Sequence, residues 1–282
     1  MTTDTEGNQT NGQLTDNPAF IKEGDYLFPR YTVIELMRRG KDCDVYHVWS
    51  EDRYCSCIGK CLRPDRLEKR AAKERLIREG EYLKRLTHPN LVRAYEVHND
   101  PFPIMIQETL TGQTLHHLVK TQQNRRLSVK QLAHLGAQLC SVMHYLHQEG
   151  ILHLDLKPSN IINQPPLAKV IDLSIAAQPG EIKKGAGTRQ FMAPEQARGD
   201  QLTTAADIWG IGAVLFFAAT GNAPFQTYDG NRYDQLERCA EKVQTCRRLP
   251  ANFANIINRS LHPNPLQRPK IEEIASTMKQ HY

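Results

Sequence analysis

The chain has 282 residues, of which 40% are hydrophobic and 24% charged, as is ordinary for a water-soluble protein of one large or two small domains. Its longest apolar run, residues 208–219, is shorter than the ~20 residues that span a bilayer, so no membrane span is expected. The net charge of +5 is modest and scattered, which argues against nucleic-acid binding. Because the N-terminus lacks the basic and apolar segments of a signal peptide, we expect a cytoplasmic protein.

The first part of the chain combines a polar tail with a strand-rich region. Residues 1–25 are acidic and rich in Thr, Asn, Gln and Gly, which predicts a disordered tail before a folded domain over residues 26–282. Five strands are predicted from short runs rich in apolar and β-branched residues: Tyr31–Met37, Asp44–Trp49, Tyr54–Cys61, Leu91–Val97 and Ile104–Glu108. Between the third and fourth strands, Asp65 is predicted to cap a helix that runs to about Leu86.

Beyond Thr109 the pattern becomes mainly helical. Ser128 is predicted to cap a helix over Val129–Gln148, and Thr204 precedes an apolar helix over Ala205–Thr220. No internal repeat is visible. A strand-rich region with one helix, followed by a helical region, predicts an α+β protein.

Seven cysteines, an odd number, fit free thiols in a reducing compartment. Cys55, Cys57 and Cys61 would lie on one face of a strand, so a metal site is one interpretation. That site would need a fourth ligand and usually has C-x₂-C spacing, and core or half-buried thiols are the favoured interpretation.

The segment from His153 to Asn160 places an acid, a lysine and an amide close together, namely Asp155, Lys157 and Asn160, and Asp172 follows inside an apolar run. Phosphoryl transfer needs a carboxylate that takes the hydroxyl proton, a cation that stabilises the phosphoryl group, and hard oxygen ligands for Mg²⁺. These four side chains supply that set. A surface turn is the alternative, since Asp, Pro, Ser and Asn all favour turns.

This segment resembles the catalytic loop H-R-D-L-x-x-x-N of eukaryotic-like serine/threonine protein kinases, of the soluble bacterial type. Further signatures appear in the family's order: Lys60, Glu79, Asp172-Leu173-Ser174, Ala193-Pro194-Glu195, Asp207 and Arg268. The resemblance spans about residues 31–281. It implies a bilobal protein-kinase fold, in which a five-stranded antiparallel N-lobe (residues 31–108) carries the helix called αC. A hinge (residues 109–112) then leads to a mainly helical C-lobe (residues 113–282).

The resemblance also implies an ATP site between the lobes, with Mg²⁺ as the metal and Mn²⁺ as its substitute. Lys60 would hold the α- and β-phosphates and Glu79 would orient it through an ion pair, while Asn160 and Asp172 would hold the metal. The nucleotide would further contact Met37, Gly40, Val45, Glu108 and Leu110.

On the acceptor side, the resemblance implies a protein substrate with a Ser or Thr hydroxyl. Asp155 would accept the hydroxyl proton and Lys157 would stabilise the phosphoryl group. Thr188 resembles the threonine that braces these two residues, although an ordinary loop residue is an open alternative.

Two departures concern the nucleotide. Residues 37–45 read MRRGKDCDV where the family has L-G-x-G-x-x-G-x-V, so two positions lose glycine's easy access to positive φ. Asp42 would repel phosphate unless Lys41 or Arg38 offsets its charge. Ile58 replaces the alanine that packs on adenine, and its extra methyl groups narrow the pocket. We expect nucleotide binding that is weaker than the family norm but not lost.

Two further departures concern control. Leu154 replaces the arginine that ordinarily meets a phosphate on the activation loop, and between Asp172 and Ala193 the only hydroxyls are Ser174 and Thr188. We therefore expect no control by activation-loop phosphorylation. Leu173 is expected to fill the apolar slot of the usual phenylalanine, and Ser174 removes a hinge glycine.

Two function classes remain open. The first is an active serine/threonine protein kinase, and the second is a pseudokinase that serves as a binding or regulatory module. A small-molecule kinase of related fold is a third option, against which the protein-substrate signatures at residues 193–195, Asp207 and Arg268 argue. The sequence indicates neither the substrate nor the oligomeric state.

Overall fold

The computed structural model describes residues 21–225 and 233–282. Nine strands are β1 (Tyr26–Phe28), β2 (Tyr31–Arg39), β3 (Cys43–Ser50), β4 (Cys55–Leu62), β5 (Ala94–His98), β6 (Ile104–Glu108), β7 (Gln113–Thr114), β8 (Ile161–Gln164) and β9 (Leu167–Val170), counted within those residues. The α-helices of the same ranges are α1 (Arg70–Arg85), α2 (Leu115–Thr121), α3 (Val129–Gln148), α4 (Pro194–Arg198), α5 (Ala205–Thr220), α6 (Val243–Cys246), α7 (Ala251–Ser260) and α8 (Ile271–Lys279). This order, strands with one helix and then mainly helices, agrees with the predicted α+β class.

An antiparallel sheet of six strands forms the N-lobe, in the order β1-β2-β3-β4-β6-β5. The prediction of five strands was wrong, because Tyr26–Phe28 pairs with β2 and adds an edge strand. Most of the predicted tail lies outside the described residues. Its end approaches the sheet at Ile21, whose N–H donates to the Tyr46 hydroxyl at 3.2 Å.

Helix α1 packs against β5 on the inner face of the sheet, with Leu76 and Leu83 buried. The predicted cap was wrong: α1 begins at Arg70, and Asp65 lies in a preceding 3₁₀ turn. The Asp65 carboxylate is instead bound by the Arg63 guanidinium at 2.9 Å. A charged partner close in the chain therefore outcompetes the backbone N–H groups that a cap would satisfy.

The two C-lobe helices that the sequence predicts both form, as α3 and α5. The Gln131 N–H donates to the Ser128 hydroxyl (3.2 Å) and the Ser128 N–H to the Gln131 side chain (2.8 Å), which closes a capping box at the start of α3. Every residue of α5 from Ala206 to Ala219 is buried, so the apolar run forms a central core helix. Within residues 21–225 and 233–282, none of the helices has the length and apolarity that crossing a bilayer demands.

The sheet separates two hydrophobic cores. A smaller core covers its outer face and includes Cys57 and Cys61, as the buried-thiol interpretation predicts, whereas Cys55 is exposed. A larger core joins the inner face to the C-lobe helices. Because side chains alternate along β4, Ile58 and Lys60 point to this inner face. A second, short sheet has the order β7-β8-β9. Its strand β8 directly follows the catalytic-loop segment, which ends at Asn160, and Asp172 comes shortly after β9.

Candidate active site

Lys60, Glu79 and Asp172 come together from three separate elements. The Lys60 ammonium donates to both carboxylate oxygens of Glu79, at 2.9 and 2.8 Å, and lies 3.7 Å from Asp172 Oδ1. Gly80 allows α1 to approach β5 closely, since a Cβ at this position would lie 2.6 Å from Val97. The Glu79 side chain is 2% exposed and that of Asp172 is 32% exposed, so only the second carboxylate remains accessible.

The charges of this group stabilise one another. Burial would lower the pKa of the Lys60 ammonium, but the carboxylates of Glu79 and Asp172 outweigh it and raise that pKa. Burial raises the pKa of the Glu79 carboxyl, while the Lys60 charge opposes the rise. Burial also acts to raise the pKa of Asp172, but Lys60 and the hydrogen bonds of Ser174 lower it overall. At neutral pH, Asp172 is therefore an accessible anion beside a cation.

Asp172 has a fixed orientation. Its φ of 72° is in the left-handed region, which non-glycine residues rarely adopt. The Ser174 N–H donates to Asp172 Oδ1 at 3.1 Å, and Leu173 is buried in the larger core, as the sequence predicts. The carboxylate is thus held by a backbone N–H, a group that the usual hinge glycine would also supply.

Asp155, Lys157 and Thr188 form a closed triangle of hydrogen bonds. The Lys157 ammonium donates to Asp155 Oδ2 at 2.6 Å and to the Thr188 hydroxyl at 2.7 Å, and this hydroxyl donates to Asp155 Oδ1 at 2.7 Å. Thr188 is 33 residues from Asp155 in the chain. The contact between them rules out an ordinary loop residue at position 188 and an isolated surface turn at residues 153–160.

Asp207 on α5 holds the backbone of the residues that precede Asp155. Its carboxylate accepts the backbone N–H groups of His153 and Leu154, both at 2.9 Å, and contacts the His147 imidazole at 2.9 Å. Burial would raise the pKa of Asp207, but the hydrogen bond and charge of His147 lower it. Leu154 is buried with a φ of 67°, and the bond from its N–H holds this strained backbone in place.

Asn160 connects the two halves of the site. Its side-chain N–H₂ donates to the Asp155 backbone carbonyl (3.0 Å) and to Asp155 Oδ2 (3.2 Å). Its backbone carbonyl accepts the N–H of Ile171 (2.9 Å). Within the described ranges, no donor contacts the amide oxygen of Asn160. This oxygen and the Asp172 carboxylate are hard ligands that fit Mg²⁺ or Mn²⁺. In the same ranges no cluster of three or more His, Cys, Asp or Glu forms a separate metal site.

The loop at residues 39–44, which we term the phosphate loop, is a tight turn between β2 and β3. The Gly40 N–H donates to the Cys43 carbonyl at 2.8 Å, and a Cβ at Gly40 would lie 2.6 Å from this oxygen. The turn therefore requires the one glycine that the sequence retains. Arg63, which follows β4, fixes the turn further: its N–H donates to the Asp42 carbonyl (3.0 Å) and its guanidinium to the Gly40 carbonyl (3.2 Å).

The charge of Asp42 is offset within the N-lobe. Its carboxylate lies 3.7 Å from the Lys69 ammonium and 3.6 Å from the Arg75 guanidinium, at the start of α1 and on that helix. Among the described residues, Lys41 and Arg38, the local cations that the sequence analysis considered, form no ion pair with it. These long-range partners could not be found from local sequence, because only the fold brings α1 to the loop.

Four residues line the sheet side of the predicted nucleotide pocket. Val45 lies opposite Lys60 in the β3–β4 pairing, and Ile58 lies opposite Gln107 in the β4–β6 pairing, so all four side chains share the inner face. The sequence analysis missed Gln107, although the alternation along β6 could have shown it. Met37, at 56%, is the most exposed of the predicted nucleotide contacts.

At the hinge, the side chain of Glu108 is already engaged. Its carboxylate is bound by the Lys169 ammonium and by the Arg93 N–H (2.9 Å), and its own N–H donates to the Arg93 carbonyl (3.0 Å), so its side chain and its N–H are both engaged. Leu110 is half-buried against the larger core. The structure therefore leaves the apolar side chain of Leu110 at the predicted hinge contacts.

Two of the family signatures, Glu195 and Arg268, bind each other. The two side chains form a buried bidentate ion pair at 2.5 and 2.8 Å. Arg268 also donates to the carbonyl of Ala205, the first residue of α5, at 2.7 Å. This pair attaches the segment around Glu195, which follows Thr188 in the chain, to the C-lobe core.

Comparison with known proteins agrees with this geometry. The protein kinase domain family matches residues 31–280. The serine/threonine-protein kinase PknB of Mycobacterium leprae is 31% identical over 212 residues, which cover 71% of this chain and 34% of the relative. PknB of Mycobacterium tuberculosis is 28% identical over 263 residues (86% and 41%), and the serine/threonine-protein kinase pkn3 of Myxococcus xanthus is 29% identical over 235 residues (76% and 43%). The chain spans less than half the length of these relatives. It belongs to the protein kinase domain family, in its bacterial, eukaryotic-like serine/threonine branch.

Proposed function

We propose that the chain is a serine/threonine protein kinase that transfers the γ-phosphoryl group of Mg·ATP to Ser or Thr hydroxyls of proteins. The observation that carries the proposal is that two charged groups lie on either side of Asn160. One is the triangle of Asp155, Lys157 and Thr188, and the other contains Lys60 and Asp172. The Asn160 side chain donates to Asp155, and its backbone carbonyl accepts the N–H of Ile171, the residue before Asp172. An acceptor-side base and a nucleotide-side cation are thus held by segments that are bonded to each other.

On the nucleotide side, Lys60 binds the α- and β-phosphates, and Glu79 keeps the ammonium in place through their ion pair. Asp172 and the amide oxygen of Asn160 would hold the divalent cation. Mg²⁺ bound there would neutralise negative charge on the phosphates. The phosphate loop would cover the phosphates at its turn around Gly40, whose own N–H and carbonyl are already bonded to Cys43 and Arg63.

On the acceptor side, Asp155 orients the substrate hydroxyl and takes its proton as the oxygen attacks the γ-phosphorus. Lys157 donates to the transferring phosphoryl group, which becomes more negative at its equatorial oxygens. The Thr188 hydroxyl holds both side chains at 2.7 Å, so little reorganisation is needed when the substrate arrives.

We infer that activation-loop phosphorylation does not switch this kinase on. In place of the phosphate-binding arginine, Leu154 is buried, and its carbonyl accepts the side-chain N–H₂ of Gln196 at 2.9 Å. The same amide donates to the Ala186 carbonyl at 3.0 Å, which links catalytic loop and activation segment without any phosphate. A phosphate found between Asp172 and Ala193 together with a matching gain in rate would contradict this inference.

A pseudokinase is the second candidate, because residues 37–45 retain one of three family glycines. Against it weigh Lys60, Asp155 and Asp172, each present and each held by named partners. Activity on small molecules is disfavoured by the Glu195–Arg268 pair, which supports the protein-substrate platform in this family.

The test is phosphate transfer measured by intact-protein mass, for the wild type and Asp155→Asn. Each protein is incubated with millimolar ATP and either Mg²⁺ or Mn²⁺, with one acidic and one basic acceptor protein. We expect the wild type to transfer phosphate to Ser or Thr and the variant to be about 10²- to 10⁴-fold slower with unchanged nucleotide binding. Failure of the wild type with both metals would favour the pseudokinase.

A further inference from the structure

Part of the activation segment beside the catalytic triangle is positively charged. Residues 182–194 include Lys183, Lys184 and Arg189 and no acidic residue, and Glu181 directly precedes them. Lys183 serves the fold, because its ammonium donates to two backbone carbonyls of the segment at 2.8 and 3.2 Å. Lys184 is exposed and Arg189 is half-buried, so two cations remain at the surface near the site.

Arg189 directly follows Thr188, whose hydroxyl binds Asp155. Its guanidinium lies over the Tyr233 ring, 5.4 Å from the centroid, and its carbonyl accepts the side-chain N–H₂ of Gln235 at 3.0 Å. In the part of the chain that the structure describes, no carboxylate pairs with this guanidinium. Arg189 is therefore a cation held in one place by its backbone and by an aromatic ring, with its hydrogen-bond donors still available.

We propose that Arg189 selects protein substrates that carry an anionic group, a carboxylate or a phosphate, on the residue after the acceptor Ser or Thr. The proposal rests on the kinase function proposed above. Arg189 adjoins Thr188, whose hydroxyl binds Asp155, so a residue next to an acceptor hydroxyl at Asp155 comes close to Arg189. A guanidinium already oriented by Tyr233 loses little side-chain entropy on binding an oxyanion, and its planar donors suit both carboxylate and phosphate. The exposed Lys184 adds to the positive field.

The alternative is that Arg189 merely packs on Tyr233. Arg238 offers a matched control, because its guanidinium also lies over a ring, 5.1 Å from the centroid of Phe225. Unlike Arg189, it is already paired, with the Asp234 carboxylate at 3.1 Å. Loss of Arg238 removes a stacked arginine without removing an available cation.

The experiment uses four peptides that are identical except for the residue after the acceptor serine, which is Asp, phosphoserine, Ala or Lys. Binding is measured by fluorescence anisotropy and transfer by kcat/KM, for the wild type, Arg189→Gln, Arg189→Glu and Arg238→Gln. We expect the wild type to bind and use the anionic peptides about three- to tenfold better than the Lys peptide. The Asp and phosphoserine peptides together show which source of the anion it prefers.

Arg189→Gln should abolish the preference and leave the Ala peptide within about twofold, Arg189→Glu should favour the Lys peptide, and Arg238→Gln should keep the wild-type order. Equal binding of all four peptides by the wild type, or a preference that survives in Arg189→Gln, would overturn the proposal. Transfer without any preference would overturn it while leaving the kinase function intact. Charge-selective binding without transfer would support the surface and count against the kinase function.

Discussion

The catalytic loop and the phosphate loop are ordered in different ways. The catalytic loop retains its family residues, and the triangle of Asp155, Lys157 and Thr188 holds it through side-chain hydrogen bonds of 2.6–2.7 Å. The phosphate loop has lost two of three glycines and is instead fastened from outside, through Asp42 to α1 and through its carbonyls to Arg63. A loop whose backbone is fixed by distant side chains has less need of the conformational freedom of glycine.

This difference teaches that the number of motif glycines is a poor measure of an intact nucleotide site. Glycine makes a loop adaptable at an entropic cost, whereas ion pairs and backbone hydrogen bonds hold one conformation. The two loops should therefore respond differently to substitution. Changes near the catalytic loop should affect the transfer step, and changes at the phosphate loop should affect nucleotide affinity.

Among the four substitutions that test this comparison, the largest effect is expected for Glu79→Gln, which keeps the shape of the side chain but removes the charge that holds Lys60. We expect kcat/KM to fall about ten- to a hundredfold, since a hydrogen bond to a charged group contributes about 1.5–3 kcal/mol. Glu81→Gln is the control, because this residue is exposed on the same helix. Equal activity of the two variants would show that the Lys60–Glu79 pair is dispensable.

Thr188→Val should lower kcat about tenfold with little change in the KM for ATP, because the hydroxyl that positions both Asp155 and Lys157 is lost. Thr188→Ser restores a hydroxyl and should recover most of the rate. A larger change in the KM for ATP than in kcat would place Thr188 with the nucleotide-side residues. It would contradict the claim that changes near the catalytic loop affect the transfer step.

Asp207→Asn tests how the catalytic loop is supported. At neutral pH we expect a loss of about 1–3 kcal/mol in the free energy of unfolding, since the carboxylate accepts two backbone N–H groups. The pKa of Asp207 is lowered in the folded protein, so its stabilisation is present above the unfolded pKa of about 3.9 and is lost as the pH falls below it. Measured by urea denaturation, the difference in the free energy of unfolding between the variant and the wild type should be smaller at pH 3.5 than at pH 7. A larger difference at pH 3.5 would contradict the assignment.

The smallest effect is expected for Asp42→Asn, and here its sign is informative. Repulsion alone predicts that removal of this carboxylate tightens Mg·ATP binding. Loss of the ties to Lys69 and Arg75 predicts instead about two- to fivefold weaker binding, the size of exposed ion pairs. Titration calorimetry distinguishes the two, with Lys41→Gln as a control in the same turn. Tighter binding by Asp42→Asn would refute the tethered loop.

Features encoded in one short segment could be predicted from the sequence. The apolar run and Thr204 predicted the bounds of α5, and Ser128 predicted the start of α3. The candidate catalytic residues were recognisable because Asp155, Lys157 and Asn160 lie within one loop. Their assignment as catalytic groups remains a prediction that the geometry supports.

Features that depend on the fold could not be predicted. Strand β1 has three residues, too few for a periodic signal. Asp65 has the side chain of a helix cap, but Arg63 binds it first. The partners of Asp42 are remote in the chain, so only the packing of α1 reveals them.

The most direct test of the account is single-turnover transfer of the labelled γ-phosphoryl group of Mg·ATP, for the wild type, Asp155→Asn and Asp42→Asn. With saturating ATP, we predict rapid transfer by the wild type and by Asp42→Asn, and nucleotide bound without transfer by Asp155→Asn. Below saturation, Asp42→Asn should be slower than the wild type. Absence of transfer by the wild type at saturating ATP would contradict the proposal that the tethered phosphate loop and the catalytic triangle form a working kinase.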